Sequence, residues 1–65
     1  MIIKEKSFSR TDDDGNRLYD VLCSCDDSSD LPNTEEYNID EGSYAICADG
    51  TVYVTDSTRT WQQFA

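Results

Sequence analysis

Hydrophobic and polar residues alternate in five short segments of this chain, and clusters of Asp, Gly, Ser and Asn separate the segments. A period of two places successive side chains on opposite faces of a β-strand. The segments are "IIKEKSFS" (2–9), "RLYDVLCSC" (17–25), "SYAICA" (43–48), "TVYVTD" (51–56) and "WQQFA" (61–65). The pattern predicts an all-β fold, a small antiparallel sheet of about five strands, in a single domain spanning residues 1–65.

Two Asp-Gly pairs mark tight turns between these strands. Asp14-Gly15-Asn16 follows the first strand, and Asp49-Gly50 separates the third strand from the fourth. Gly and Asn tolerate the positive φ of tight hairpins, and Asp-Gly is typical of a type I′ turn. With "STRT" as a further turn, the sequence predicts a hairpin, a long acidic loop at 26–42 and a three-stranded meander.

The second strand has two faces, which the period of two separates. We expect the core face to be the one with more apolar residues. That set is Tyr19, Val21, Cys23 and Cys25, and the opposite set is Leu18, Asp20, Leu22 and Ser24.

The first strand is predicted to lie at an edge of the sheet. Lys4 and Lys6 are in phase with Ile2 and Phe8, and lysines on an edge strand discourage pairing with another chain. These two lysines are also candidates for contact with an acidic partner.

The acidic loop at 26–42 has only three large apolar residues, Leu31, Tyr37 and Ile39. We expect them to hold the loop against the sheet, and "NTEEY" to form one helical turn capped by Asn33 or Thr34. Loops of this length are often functional, so part of it is a candidate contact surface.

The chain is short and strongly acidic. A domain near 60 residues buries only about 60% of its unfolded surface, and 37% of the 65 residues are hydrophobic. We therefore expect assembly with other chains to supply part of the stability.

The formal net charge is −9, which disfavours binding to nucleic acid or anionic lipid. Acidity of this kind favours solubility, and its alternative meaning is mimicry of DNA towards a nucleic-acid-binding protein.

No catalytic constellation is recognisable in the sequence. The chain has no histidine and only three glycines, so it offers neither the usual base for a nucleophile nor a phosphate-binding loop. We predict a protein that is not an enzyme and has no cofactor.

Three cysteines, Cys23, Cys25 and Cys47, are the candidate metal ligands. Structural zinc usually takes four Cys or His ligands, so an Asp would have to complete the site. Buried, reduced thiols are the preferred interpretation. The run "DDDGN" does not fit an EF-hand, because Arg10 and Val21 would occupy ligand positions. Loose cation binding at "DDSSD" stays open.

Aromatic residues are the other candidates for function. Most aromatic side chains in so small a sheet pack in the core or across strands. Some are available as interface anchors, and Tyr44, Tyr53 and Trp61 are the first candidates for that role.

The segment from 30 to 64 resembles short virion-associated proteins of tailed bacteriophages. The resemblance consists of a Leu-Pro, a Gly-Ser, an apolar strand, an Asp-Gly-x-Val-Tyr hairpin and a closing Trp. The matching positions are Leu31, Pro32, Gly42, Ser43, Ala45, Asp49, Gly50, Val52, Tyr53 and Trp61. The cysteines and "CSCDDSSD" lie outside that pattern. The resemblance implies a structural role in a phage particle and assigns no catalytic residue.

The leading hypothesis is therefore a non-enzymatic virion accessory protein, in a capsid decoration, neck or tail position. It would be made in the host bacterial cytoplasm and contact other virion proteins and possibly itself, without nucleic acid or membrane. Docking would use an apolar sheet face or an exposed edge strand. The alternative is a small acidic inhibitor of a host nucleic-acid-binding enzyme.

Overall fold

The computed structural model describes all residues from 1 to 65 and confirms the all-β prediction. One sheet contains five strands in the order β1-β2-β3-β4-β5. One 3₁₀ turn, Ser28–Asp30, lies between the second and third strands. The strands are β1 (Ile2–Thr11), β2 (Arg17–Cys25), β3 (Tyr44–Cys47), β4 (Val52–Thr55) and β5 (Trp61–Gln63).

The sheet is mixed rather than fully antiparallel, which corrects the sequence prediction in one pairing. β2 and β3 run parallel, with Cys23 beside Ala45 and Cys25 beside Cys47. The other three strand pairs are antiparallel. Parallel neighbours need a connection of a dozen or more residues, and the segment between Cys25 and Tyr44 is long enough to return the chain to the same end of the sheet.

All three hairpin loops have the same backbone geometry. The loops are 12–16, 47–51 and 56–60. In each loop the N–H of the first residue donates to the carbonyl of the fifth, and the N–H of the fourth donates to the carbonyl of the first. The fourth residue is left-handed in each loop: Gly15, Gly50 and Arg59 have φ of 86°, 94° and 61°. The predicted type I′ turn at Asp49-Gly50 is wrong, because only the glycine has positive φ. The geometry is that of a three-residue hairpin loop.

Two irregularities in β1 change which side chains share a face. The register against β2 shifts between Ile3 and Glu5 and again between Phe8 and Arg10. One extra residue reverses the alternation, so Lys6 and Phe8 lie on the face opposite to Ile2. The sequence predicted that Ile2, Lys4, Lys6 and Phe8 share one face, and this is wrong because the alternation reverses at Lys4.

The core occupies one face of the sheet, here called the covered face. Its centre is a cluster of small buried side chains, Cys23, Cys25, Ala45 and Cys47. Val21 is buried as well, and Tyr19 is half-buried, in agreement with the predicted core face of β2. Leu18, assigned to the other set, is nevertheless 1% exposed. It lies at the end of β2, where residues 38–40 pair with Tyr19.

The connection between β2 and β3 closes over the covered face. Leu31 packs against the cysteine cluster, and Ile39 is fully buried. Tyr37 is 42% exposed, so two of the three predicted apolar anchors are confirmed. Asn33 caps the predicted turn by accepting hydrogen bonds from the N–H groups of Glu35 and Glu36.

Residues of the last hairpin hold this connection in place. The indole Nε1 of Trp61 donates to the carbonyl of Pro32 at 2.9 Å. The guanidinium of Arg59 donates to the carbonyls of Ile39 and Thr34 at 2.8 and 2.9 Å. These bonds satisfy loop carbonyls that have no partner in the sheet.

A buried polar cluster lies where the connection enters β3. Ser43 Oγ accepts from the N–H of Val21 at 3.0 Å and donates to the carbonyl of Asp40 at 3.0 Å. Thr55 Oγ1 accepts from the N–H of Ser43 and donates to the same carbonyl, at 2.9 and 2.7 Å. The cluster joins β2, β3 and β4 where the β2–β3 ladder begins.

Candidate interaction surface

The second face of the sheet is uncovered, and its apolar side chains define the open face. Paired residues of neighbouring strands share a face, so the register places Leu22, Tyr44 and Val54 in one row and Ser24, Ile46 and Val52 in the next. Ile2 pairs with Ser24 at the edge. The open face consists of Ile2, Leu22, Tyr44, Ile46, Val52, Val54 and Phe64.

Several of these side chains are far more exposed than large apolar residues usually are. The exposed fractions are 61% for Ile2, 44% for Tyr44, 51% for Ile46 and 68% for Phe64. Single exposed apolar residues are common, but a contiguous patch of them marks an interaction site. Tyr44 and Phe64 meet edge to face with ring centroids 6.5 Å apart, so the two rings present one ordered surface.

From β2 to β5, the two rows of the open face contain no charged residue. Their polar members are Ser24 and Gln62, and Gln62 Nε2 donates to the carboxylate of Asp56 at 3.0 Å, which places one negative charge beside Gln62. Glu5 and Asp20 lie at one end, where they line a shallow cleft of about 250 Å³ beside Leu22 and Tyr44. In a chain with net charge −9, a surface whose charged residues lie only at its borders is a distinct feature.

The predicted aromatic anchors fall on different faces. Tyr44 lies on the open face, whereas Tyr53 and Trp61 pack against the cysteine cluster on the covered face. Tyr53 and Trp61 are half-buried, and Trp61 holds Pro32. These two residues complete the core, and Tyr44 is the predicted aromatic that is presented for contact.

The two predicted lysines lie on the exposed edge strand β1. Lys6 places its Nζ 4.3 Å from the centre of the Tyr19 ring, which is a cation–π distance. Lys4 is the residue between Ile3 and Glu5 at the first register shift and is exposed. The two lysines do not join Tyr44 in one site.

The three cysteines are free and buried, as the sequence interpretation expected. Burial raises the pKa of the Cys23 thiol to about 12 and also raises the pKa of Cys25. A thiol must lose its proton to act as a nucleophile or metal ligand. No group of three or more His, Cys, Asp or Glu side chains is arranged to hold a metal ion.

Several aspartate side chains accept hydrogen bonds within the turns, a side-chain role that the sequence interpretation missed. The sequence signal for this role is Asp-x-Ser/Thr. In this motif the Asp carboxylate accepts hydrogen bonds from the N–H and from the hydroxyl of the Ser or Thr two positions later. The pairs are Asp27 with Ser29, Asp49 with Thr51, and Asp56 with Thr58.

The hydrogen bonds of these turns also change the acidity of their carboxylates. The hydroxyl of Thr58, with further bonds from Thr60 and Gln62, lowers the pKa of Asp56 to about 2. The hydroxyl and N–H of Thr51 lower the pKa of Asp49. Hydrogen bonds to the charged form have this effect generally.

Ile2, Ile46 and Phe64 were also missed as contact residues. Their signal was the strand alternation itself. Once Ala45 and Cys47 are assigned to the core, Tyr44 and Ile46 must face the other way. No other element of the structure covers that side.

No helix of the structure is long and apolar enough to span a membrane. No protein-family model, curated protein or solved structure matches this chain.

Proposed function

We propose that this chain acts by protein–protein contact and that the open face is its docking surface. The observation that supports the proposal is the contiguous apolar patch around Tyr44, Ile46 and Phe64, which are 44–68% exposed. Such patches are characteristic of binding surfaces. The proposed role is contact rather than catalysis, and the surface that supports it offers contact area rather than a group that transfers protons.

The strand edges are less suited to docking than the open face. β1 has two register shifts and two lysines, and both features discourage another strand from pairing with it. β5 at the opposite edge has only three residues. Of the two modes that the sequence left open, face docking is therefore the one that we propose.

The proposed setting is the particle of a tailed bacteriophage, as an accessory piece of the capsid, neck or tail. This part of the proposal rests on the resemblance of residues 30–64 to virion-associated proteins. In that setting the chain is present in many copies, and its open face contacts other virion proteins or further copies of the chain. The alternative of DNA mimicry has less support, because a mimic docks through its carboxylates, whereas the exposed patch around Tyr44, Ile46 and Phe64 is apolar.

The test is the presence of the chain in purified particles of the phage that encodes it. Mass spectrometry should find it in a fixed ratio to the major capsid protein. Its absence from intact particles would overturn the virion setting.

The docking surface is tested by complementation with altered chains in the same particles. Ile46→Lys should reduce incorporation at least tenfold, because it buries a charge in the contact. Tyr37→Lys is the matched control, since Tyr37 is 42% exposed but lies away from the open face. Equal incorporation of both variants would contradict docking through this face.

A further inference from the structure

We infer that the open face binds the open face of a second copy of this chain, so that two sheets form a two-layer β-sandwich about a two-fold axis. The inference rests on the proposed role of the open face and specifies its partner. Three observations support it: the small core, the area of the patch and the distribution of charge.

The core of one copy is small for a free-standing domain. Only seven hydrophobic residues are buried, and four of them are cysteine or alanine. A sheet that buries one face usually packs its other apolar face against a second layer. In this chain the connection between β2 and β3 supplies a layer for the covered face alone, so a second copy is needed to supply the layer over Tyr44 and Ile46.

The patch has the area of one side of a modest dimer. A Phe or Tyr side chain offers about 150–250 Å², so Tyr44 and Phe64 at 44% and 68% exposure leave roughly 250 Å² accessible. Ile2 and Ile46 raise the total to about 500 Å² per copy, or roughly 1,000 Å² for two copies. This equals the lower limit for a specific interface. We therefore expect a dissociation constant of roughly 1–100 µM.

The positions of the charges allow the open face to contact the open face of a second copy, although both copies are negatively charged. Each copy has a net charge of −9, so two copies repel each other over most orientations. An isologous contact brings each surface against itself. From β2 to β5 the rows of the open face contain no carboxylate, and the carboxylate that Gln62 binds belongs to Asp56, just beyond β4. Repulsion between the remaining surfaces is screened within a Debye length of about 8 Å at physiological salt.

Salt dependence follows from this arrangement and separates the possible partners. Dimers of an acidic chain held by apolar contact become tighter as salt screens their repulsion. A basic partner held by charge complementarity would instead be released by salt.

Two sheets packed face to face lie about 10 Å apart, so Tyr44 of each copy should be close to the open face of the other.

Sedimentation equilibrium of the full chain, from about 1 µM to about 1 mM, tests the inference. The expected result is a monomer–dimer equilibrium that strengthens with added NaCl. Ile46→Lys and Phe64→Lys should each weaken it at least tenfold, and Tyr37→Lys should leave it within about twofold. Phe64 lies outside the strands, so its variant keeps the test valid if Ile46→Lys does not fold.

A wild-type chain that stays monomeric throughout this range would overturn the inference, as would equal effects of Tyr37→Lys and Phe64→Lys. A dimer that weakens steadily with salt would overturn it too. Failure here is distinguishable from failure of the proposed function. A monomer whose incorporation into particles still depends on Ile46 refutes only the second copy, whereas a dimer absent from particles refutes only the virion setting.

Discussion

The guanidinium of Arg10 binds the buried carboxylate of Asp40 through two hydrogen bonds of 3.0 Å, from Nε to Oδ2 and from Nη2 to Oδ1. The hydroxyl of Ser9 donates to Oδ2 at 2.6 Å. The side chain of Asp40 is 3% exposed, whereas that of Arg10 is 52% exposed. The pair fastens the far end of the first hairpin to the connection that enters β3.

Replacing Arg10 should destabilise the fold more than replacing another exposed arginine. Arg10→Ala removes the main partner of a buried carboxylate, and an unpaired buried charge is costly. We expect the melting temperature to fall by about 5 °C or more. Arg17→Ala is the control, because Arg17 stacks on Phe8 and bonds only the hydroxyl of Tyr19. An equal fall in both variants would contradict this role of Arg10.

Acid should destabilise the protein below about pH 4. Burial alone raises the pKa of Asp40, but the bonds from Arg10 and Ser9 outweigh it and hold the pKa below its usual 3.8. Asp56 has a pKa of about 2. A lowered folded-state pKa adds stability that is present above the unfolded value and is lost as pH falls towards the folded value. For Asp56 that window runs from pH 3.8 to about 2.

Chemical unfolding at pH 7 and at low pH measures this loss. Asp56→Asn keeps an acceptor oxygen but cannot be protonated, so it should reduce the difference in unfolding free energy between the two pH values. Asp13→Asn is the control, because the exposed Asp13 side chain lies in a hairpin loop but accepts no hydrogen bond there, where the acceptor is Asp12. The same reduction in both variants would show that the turn bonds are not the cause.

Ser43 should be among the most sensitive positions of the chain. Ser43→Ala removes the acceptor for the N–H of Val21 and the donor to Asp40, in a residue that is fully buried. Buried groups left without partners cost about 1–3 kcal/mol. Urea unfolding should show a loss of about 2 kcal/mol for Ser43→Ala. Ser57→Ala, at an exposed loop position, should change stability little, and similar values for the two would rule out the buried cluster as the reason.

Arg59 occupies the left-handed position that glycine occupies in the other two hairpin loops. Left-handed backbone costs non-glycine residues roughly 1–2 kcal/mol, and the bonds of Arg59 to Ile39 and Thr34 offset that cost. Both Arg59→Gly and Arg59→Ala should lower stability, because both lose these bonds. The alanine variant should be the less stable by about 1 kcal/mol, since it keeps the strain. An alanine variant as stable as the glycine variant would contradict this balance.

The thiols should be protected in the folded protein. Because Cys23, Cys25 and Cys47 are buried and the pKa of Cys23 is raised to about 12, alkylating reagents at neutral pH should react only after unfolding. Labelling followed by mass spectrometry should show no modified cysteine in buffer and three in denaturant. Fast labelling of one cysteine in the native protein would require an opening that exposes the cluster.

Local signals predicted the strands well. The β2 limits of 17–25 agree with the structure, and both Asp-Gly turns lie at hairpins. Alternation and turn residues act over a few positions, so one sequence contains them. The turn type at Asp49 was misjudged because Asp-Gly fits two loop geometries, and only the φ of Asp49 distinguishes them.

The pairing and facing of segments far apart in the sequence could not be predicted from such local signals. Whether the chain enters β3 parallel or antiparallel to β2 depends on the path of the connection, and its polar sequence favours neither. The alternation in β1 was broken by the extra residue near Lys4, which has no signature of its own. Tyr53 and Trp61 could not be assigned to a face before the strand order was known.

The parallel β2–β3 pair also has a kinetic consequence. It divides the chain into two units with short loops, the hairpin 2–25 and the meander 44–63, and hairpins of this kind form in about 1–10 µs. Joining them requires closing the intervening segment before the cysteine cluster can pack. We expect this closure to limit the rate of folding, so substitutions in the interface between β2 and β3 should slow refolding more than substitutions within either hairpin.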